Sequence, residues 1–251
     1  MPWREARAPY RVLVSEVMLQ QTGVGRVIPK YREFLRAFPS MKALAHASVE
    51  EVLSVWKGLG YNRRALALRE AARLIREKHS GKVPRSAEEL VALPGLGRAT
   101  ASSVLAFAFN LPVPFIETNI RRVFIHFFFP HARKVSDSVI LPLVEKTMDK
   151  EKPREWFYAL MDYGAWLGST LRASAGNPNA RSIVYTRQSP FEGSLRQLRG
   201  LVLKIMLELR HATQREIVDA MGGSDSRLGT ALDQLVKEGF LRKKSGNYFF
   251  R

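Results

Sequence analysis

A glycine turn opens onto a predicted helix in Leu93-Pro94-Gly95-Leu96-Gly97-Arg98-Ala99-Thr100-Ala101, near the middle of the chain. Its two glycines allow the backbone to approach a ligand closely. The free amides and the positive dipole end of the following helix favour an anion at this point. The turn is therefore a candidate phosphate site, although helices that bind nothing are often joined in the same way.

The net charge also favours an anionic partner. Forty Lys and Arg residues against 23 Asp and Glu give the 251-residue chain a formal charge of +17. Such an excess is typical of proteins that bind phosphate, so nucleic acid is the first partner class to consider. A merely solvated basic surface and an anionic lipid surface are the alternatives.

The chain contains no cysteine, which removes disulfides, thiolate catalysis and Cys-ligated zinc or iron–sulfur sites. The five His are scattered without metal-ligand spacing, so we expect neither a metal nor a cofactor. No apolar run reaches the about 20 residues of a membrane span, and the N-terminus lacks the pattern of a secretory signal. We therefore expect a cytoplasmic, nucleoid-associated protein.

Helical spacing dominates the hydrophobic pattern. Apolar residues recur with this period in stretches such as Val27–Phe38 and Leu66–Ile75, while alternating runs are scarce. Short loops rich in Gly, Pro and Ser separate these stretches. The sequence thus predicts a mainly α protein.

The pattern changes near Ala173–Ser189, which we interpret as a linker. Residues 190–251 predict a small winged-helix-like α+β module. Its expected parts are a helix over about Ser194–Arg210, a Thr213–Glu216 capping box, a break at Gly222-Gly223, a Ser224-capped helix ending at Gly239, and a hairpin of Phe240–Lys244 and Asn247–Arg251. Such modules bind DNA, bind proteins or only pack, and the sequence leaves these three roles open.

One carboxylate lies in an apolar helix within Pro9–Thr22. Glu16 has Val12, Leu13 and Leu19 as helical neighbours, which predicts a partly dry environment and a raised pKa. A Glu that keeps its proton at neutral pH can act as a general acid. The alternative is a Glu on the solvent face of the helix.

A second carboxylate lies where an apolar stretch ends and a new helix begins, in Val113–Val123. Glu117 is followed closely by Asn119. An acid at this position is ordinarily a helix cap or a first-turn acid. It is also a candidate to oppose positive charge developing on a sugar.

Together these segments resemble the helix-hairpin-helix (HhH-GPD) DNA glycosylases, and most closely the adenine glycosylases of the MutY type. The resemblance covers roughly the first 170 residues and rests on Pro2-Trp3-Arg4, Ser15-Glu16-Val17-Met18-Leu19-Gln20-Gln21-Thr22, Gly58-Leu59-Gly60-Tyr61 and Leu93-Pro94-Gly95-Leu96-Gly97, in the family's order. It implies a glycosylase core over residues 1–172 with two helical subdomains and a cleft between them. One subdomain would span about 23–115, and the other about 1–22 and 116–172.

The resemblance also implies a function and roles for residues. The protein would act as a monomer on duplex DNA that contains a mispaired or damaged base. Glu16 would protonate a departing adenine, and Glu117, with Asn119 beside it, would stabilise the oxocarbenium-like sugar. Gln21 and Tyr61 would insert into the base stack, and the residues implied at the DNA are Gln20, Gln21, Thr22, Tyr61, Gly95, Gly97, Arg98 and Thr100.

Four departures from the family pattern limit what can be carried over. Glu117 stands where the family usually has Asp, and Ala99 stands where bifunctional relatives have a lysine, so we expect no Schiff base and no lyase step. Gly168 stands where the first cysteine of the iron–sulfur cluster would be. The tail is too short for the domain that recognises 8-oxoguanine. A glycosylase for mismatched thymine or uracil, and a DNA-binding protein with impaired catalysis, remain alternatives.

Overall fold

The computed structural model describes residues 1–5, 7–171, 176–186 and 189–251. Within these ranges the chain is mainly helical, as expected, with a small sheet in its last segment. None of the helices described there is long and apolar enough to span a bilayer. The linker expected at Ala173–Ser189 includes residues 173–175 and 187–188, which lie outside the described residues.

Within the described ranges the chain forms fourteen α-helices. In chain order they are α1 Pro2–Glu5, α2 Pro9–Leu19, α3 Val24–Ala37, α4 Met41–His46, α5 Val49–Trp56, α6 Arg63–Lys78, α7 Ala87–Val91, α8 Arg98–Phe109, α9 Thr118–Phe128, α10 Asp137–Thr147, α11 Pro153–Leu171, α12 Leu195–Leu209, α13 Gln214–Met221 and α14 Leu228–Lys237. A 3-10 helix, Pro178–Arg181, follows α11. The strands are β1 His211–Thr213, β2 Leu241–Lys244 and β3 Asn247–Phe250.

Two compact units divide the chain. Unit 1 comprises Met1–Glu16 and Pro84–Arg187, and unit 2 comprises Val17–Val83 and Gln188–Arg251. The subdomain boundaries expected from the sequence, and the separate standing of residues 190–251, stay predictions.

Aromatic side chains form much of the interior of unit 1. The Phe115 ring lies 4.2 Å from that of Phe157 and 5.8 Å from that of Phe107, centroid to centroid. Helix α11 approaches α9 at Gly164, where a Cβ atom would lie only 2.4 Å from the Asn119 carbonyl oxygen. This close packing sets the position of the first turn of α9, because only a glycine fits between the two backbones.

The segment that follows α11 folds back onto α9. The Asn179 side-chain amide donates to the Thr118 carbonyl at 2.9 Å, and Arg181 Nη1 donates to the Phe129 carbonyl at 2.7 Å. Backbone hydrogen bonds also join Val135 to this segment on both sides of a parallel bridge. Hydrogen bonds to main-chain groups therefore anchor the segment at both ends of α9.

The last segment of unit 2 forms an antiparallel sheet in the order β1-β3-β2 beneath three helices. Both bonds of the Thr213–Glu216 capping box are present, and Gly222 ends α13 with φ of 73°. The predicted α12, the break at Gly222 and the hairpin of β2 and β3 are thus confirmed. The three-residue strand β1 was not predicted.

One expected helix start is wrong. Helix α14 begins at Leu228, not after Ser224. The Asp225 carboxylate accepts the backbone N–H of Arg227 at 2.9 Å, and Leu228 N donates to the Asp225 carbonyl at 2.9 Å. These bonds close a turn ahead of the helix, and no side chain caps α14 itself.

Candidate active site

Glu16 lies on α2 with Val12, Leu13 and Val17 buried around it. It is itself only partly exposed, and not on the solvent face. Burial raises the pKa of Glu16 to about 7, because the carboxylate loses its hydration. A hydrogen bond from Ser103 opposes this rise in pKa, and the nearby charge of Glu117 adds to it. The raised pKa expected from the apolar neighbours is confirmed.

Ser103, on α8, suits both protonation states of Glu16. Its Oγ lies 2.7 Å from Glu16 Oε2 and 3.0 Å from the Thr100 carbonyl oxygen. When Glu16 is ionised, the hydroxyl donates to the carboxylate. When Glu16 is protonated, the carboxylic acid can donate to Ser103 Oγ, and the hydroxyl can turn to Thr100. Ser103 was not predicted, because a Ser within a helix carries no signal for an acid 87 residues away.

Glu117 is the N-cap of α9, which is the ordinary role considered for it. Its Oε1 accepts the backbone N–H groups of Asn119 at 2.7 Å and Ile120 at 2.8 Å. Burial raises the pKa of Glu117, while these two bonds and the charges of Arg121 and Arg122 lower it. Backbone donors favour its ionised form, so the two acids have different environments. The bonds to backbone N–H groups oppose the rise in pKa at Glu117, so Glu16 is the better candidate for the acid that holds a proton.

Asn119 is held by an arginine that the sequence analysis also missed. Arg122 Nη1 donates to Asn119 Oδ1 at 2.7 Å and to the Gly164 carbonyl at 2.6 Å. This leaves the Asn119 amide nitrogen 3.4 Å from Glu117 Oε2. Gly168 makes room for the guanidinium, since a Cβ there would lie 2.5 Å from its Cζ. Arg122 thus orients the amide beside the second acid.

The glycine turn leads into the helix that carries Ser103. Gly95 has φ of 78°, and Gly97 is the N-cap of α8 with no side chain to cap it. Arg98 is exposed and Thr100 is partly exposed. The geometry suits an anion at the start of α8. Glu16, Glu117, Asn119 and this turn all belong to unit 1.

Gln21 and Tyr61 belong to unit 2 and share an unusual conformation. Both side chains are exposed, and their φ angles are 53° and 48°. A non-glycine residue adopts this left-handed region only at a cost in free energy, so surrounding structure must hold it. The Trp56 indole supports the second loop by donating to the Gly60 carbonyl at 3.1 Å.

Arg64 holds both loops and is the third residue that the sequence analysis missed. Its buried guanidinium lies within hydrogen-bond distance of six oxygens, on Val17, Met18, Gln20, Thr22, Leu59 and Gly60. These groups include the end of α2 and the residues that flank Gln21 and precede Tyr61. Arg64 thereby fixes the exposed pair, and a charged residue within the apolar pattern of α6 was the available signal.

Comparison with known proteins identifies the family. Residues 14–145 match the model of the HhH-GPD superfamily base excision DNA repair protein. An adenine DNA glycosylase of Mycolicibacterium smegmatis is 33% identical over 266 residues, which cover 99% of this chain and 90% of that protein. One from Buchnera aphidicola subsp. Baizongia pistaciae is 36% identical over 169 residues, which cover 66% of this chain and only 47% of that protein.

Solved structures agree with this assignment. A thermostable thymine-DNA glycosylase superposes with a TM-score of 0.59 and 28% identity, over 66% of this chain and 77% of that one. Endonuclease III in a non-covalent DNA complex superposes with a TM-score of 0.58 over 64% of this chain and 75% of that one; at 23% identity it shows the fold alone. The expected helix-hairpin-helix glycosylase fold and the similarity to adenine glycosylases are confirmed, and the chain belongs to the HhH-GPD superfamily of base excision DNA repair proteins.

Proposed function

We propose that the protein is a monofunctional adenine DNA glycosylase, which acts as a monomer on duplex DNA and hydrolyses the N-glycosidic bond of a mispaired adenine. The observation that carries this proposal is Glu16, an acid with a pKa of about 7 that lies close to a second acid, Glu117, whose carboxylate accepts two backbone N–H groups. Relatives named adenine DNA glycosylase support the same reaction. The formal charge of +17 suits a DNA substrate.

The two acids divide the chemistry between them. The target adenine leaves the base stack, at a cost of about a few kcal/mol. Glu16 donates its proton to a purine nitrogen while the bond from C1′ to the base breaks, so the base departs neutral. The ionised Glu117 opposes the positive charge left on the sugar. Water then adds to C1′ and releases a proton, which restores the starting protonation of the site.

The extra methylene of Glu117, compared with the usual Asp, does not leave its carboxylate loose. Two backbone N–H groups hold one oxygen, and Asn119 lies beside the other. A carboxylate misplaced by about 1 Å can cost a hundredfold in rate, so this anchoring is needed for catalysis. The N-cap role and the proposed catalytic role therefore support each other.

The residues present do not fit an iron–sulfur cluster. The chain offers no thiolate ligand, and Gly168 is covered by the Arg122 guanidinium. We propose that the hydrogen bonds of Asn179 and Arg181 hold the segment after α11 instead. Ala99, in the first turn of α8, offers no amine for a lyase step.

Single-turnover release of adenine tests the proposal, on a duplex with adenine opposite 8-oxoguanine. We expect the wild type to release the base, and Glu16→Gln to bind the duplex but release it at least about 100-fold more slowly, because the amide cannot donate a proton of suitable acidity. Glu145→Gln, at an exposed position of α10, is the matched control. No release by the wild type, or full activity of Glu16→Gln, would overturn the assignment.

Glu117→Gln tests the second acid. The amide oxygen can still accept the N–H groups of Asn119 and Ile120, so the cap of α9 remains while the charge is lost. We expect a slower bond-breaking step with unchanged DNA affinity, measured by single-turnover kinetics and by binding. An unchanged rate of bond breaking would show that Glu117 only caps α9.

The similarity to a thymine-DNA glycosylase favours one competing substrate, a mismatched thymine. A panel of duplexes with adenine, thymine or uracil in each mispair distinguishes the two. We expect adenine to be released fastest, since thymine has no purine nitrogen for Glu16 to protonate. Preferential release of thymine or uracil would favour the competing substrate.

A further inference from the structure

Basic residues are distributed unevenly in the last segment of the chain. The two helices that resemble a helix-turn-helix, with the turn between them (residues 214–237), carry three basic and four acidic residues. Residues 241–251 carry four basic and no acidic residues. Of these two parts of the segment, the hairpin therefore has the stronger attraction for phosphate.

The hairpin presents these cations to solvent. We call Arg242–Gly246 the wing; it includes most of β2, at the edge of the sheet, and a turn in which Ser245 and Gly246 have φ of 48° and 79°. Its three basic side chains are exposed, and within the described residues none of them forms an ion pair. Arg242 and Lys243 pack over the rings of Phe249 and Tyr248, at 5.7 and 5.3 Å from the ring centroids. These contacts orient the side chains while their charges stay in water.

Helix α14, the second helix of this pair, offers no comparable surface. Asp233 is exposed in the middle of the helix, and Arg227, just before it, forms a bidentate pair with Asp225. Gln234 accepts a hydrogen bond from Arg199 of α12 at 3.1 Å. Part of α14 therefore packs against α12, and the exposed side of α14 carries the acidic Asp233.

The wing segment is attached to the part of unit 2 that carries Tyr61. Glu238, at the end of α14, accepts from Arg199 at 3.0 and 2.5 Å and lies 3.5 Å from Arg63 Nε. Arg63 is the first residue of α6 and follows Tyr61 by two positions. A duplex that contacts Tyr61 would therefore lie against the part of unit 2 to which the last segment of the chain is attached.

We propose that the wing is a second DNA-binding site, which contacts phosphates of the duplex through Lys243, Lys244 and Arg242, while α14 does not read bases. The proposal rests on the proposed function only in taking duplex DNA as the substrate. Lysine binds phosphate as a point charge and carries no sequence information, so the contribution is the same on any sequence.

The test measures the salt dependence of duplex binding by the full chain. Lys243→Gln/Lys244→Gln removes two charges but keeps the long side chains. We expect the slope of log Kd against log salt to fall by about 1 for each lysine, equally on mispaired and fully paired duplexes. Lys146→Gln/Lys150→Gln is the control with the same change in net charge, at exposed positions flanked by Glu145, Asp149 and Glu151.

A second variant guards against an effect on folding. Lys244→Glu, next to the turn, reverses one charge and is expected to weaken binding more than Lys244→Gln, with an unchanged thermal unfolding midpoint. Wing variants that match the control pair in slope would overturn the proposal. Unequal losses on mispaired and paired duplexes would also overturn it, because they would indicate base readout.

The outcome is separable from the proposed function. At saturating enzyme the wing variants are expected to release adenine at the wild-type single-turnover rate, because Glu16 and Glu117 are untouched. If the wild type binds DNA through the wing but releases no base, only the proposed glycosylase activity is contradicted. If the wild type releases the base and the wing variants bind DNA like the control pair, only the proposed role of the wing is contradicted.

Discussion

Two buried polar centres differ in what burial does to them. The acid centre, Glu16 with Ser103 and Glu117 in unit 1, contains a group whose pKa burial raises from 4.5 to about 7. The arginine centre, Arg64 and the oxygens that it binds in unit 2, contains a group whose pKa burial lowers from 12.5 to about 10. Desolvation disfavours the charged form in both. Only the pKa of Glu16 is brought close to neutral pH, so only this group can exchange a proton there. Arg64 keeps its charge and holds the loops of Gln21 and Tyr61 in position.

Substitutions in the two centres are therefore expected to have different effects. Changes in the acid centre alter the pH dependence of the reaction. Changes in the arginine centre alter the stability of the fold and the positions of the two exposed side chains, Gln21 and Tyr61. The following predictions test this division.

The largest effect is expected from Arg64→Ala. It removes the donors of six buried or partly buried oxygens, and hydrogen bonds to a charged group are worth about 1.5–3 kcal/mol each. We expect the free energy of unfolding, measured in urea, to fall by about 4 kcal/mol. Arg63→Ala is the neighbouring control, since that side chain is 76% exposed, and it should change stability little. Equal effects of the two variants would show that Arg64 is not the support of these loops.

Gly164→Ala should have the next largest effect. The new methyl group would lie 2.4 Å from the Asn119 carbonyl oxygen, so α9 and α11 must separate. We expect a loss of about 1–3 kcal/mol in stability, together with slower base release as Glu117 and Asn119 move. Gly200→Ala, on α12 with no atom near its Cβ position, should instead stabilise by about 0.5–1 kcal/mol. An unchanged rate of base release in Gly164→Ala would mean that the acid centre tolerates movement of α9.

The acid centre also predicts a shift in pH dependence. Glu16 must be protonated to act, so the rate of base release should fall as the pH rises through about 7. The Ser103 hydrogen bond lowers the pKa of Glu16, so Ser103→Ala should move this fall to higher pH. Ser102→Ala, at the adjacent position, should leave the profile in place. A shift to lower pH in Ser103→Ala would reverse the role assigned to that hydroxyl.

The smallest effect on stability is expected at Tyr61. Tyr61→Gly relieves a left-handed backbone, so the free energy of unfolding should rise or fall by no more than about 1 kcal/mol. Base release should nevertheless slow, because the side chain proposed to enter the base stack is gone. Ser80→Gly relieves the same strain at φ of 51° in an exposed loop and should not alter the rate. If both variants retained full activity, Tyr61 would have no part in flipping the base.

Local patterns made several features predictable. The Thr213–Glu216 capping box, the turn at Gly222 and the β2–β3 hairpin depend on residues a few positions apart, so the sequence shows them directly. Strand β1 escaped prediction because it is three residues long and its backbone pairs with β3, more than 30 residues later. The start of α14 was misplaced because Asp225, and not Ser224, accepts the hydrogen bonds that close the turn before it.

The candidate site divides in the same way. The apolar neighbours of Glu16 on its own helix were enough to predict a raised pKa, and the start of α9 was enough to place a cap at Glu117. Ser103 and Arg122 could not be recognised in advance, since each acts through groups that lie far away in the chain or on another helix. The position of Arg64 in α6 was a signal, but its partners on the loops were not predictable.

The chain's composition, its helical periodicity and its short motifs therefore settle the helical class, the family resemblance and the identity of the two acids. Those properties depend on residue type and on spacing within a turn or two of helix. The tertiary structure alone decides which hydrogen bonds give the two acids different environments and which arginine fixes the exposed loops. Both depend on desolvation and on hydrogen bonds between distant segments, and these exist only after the helices pack.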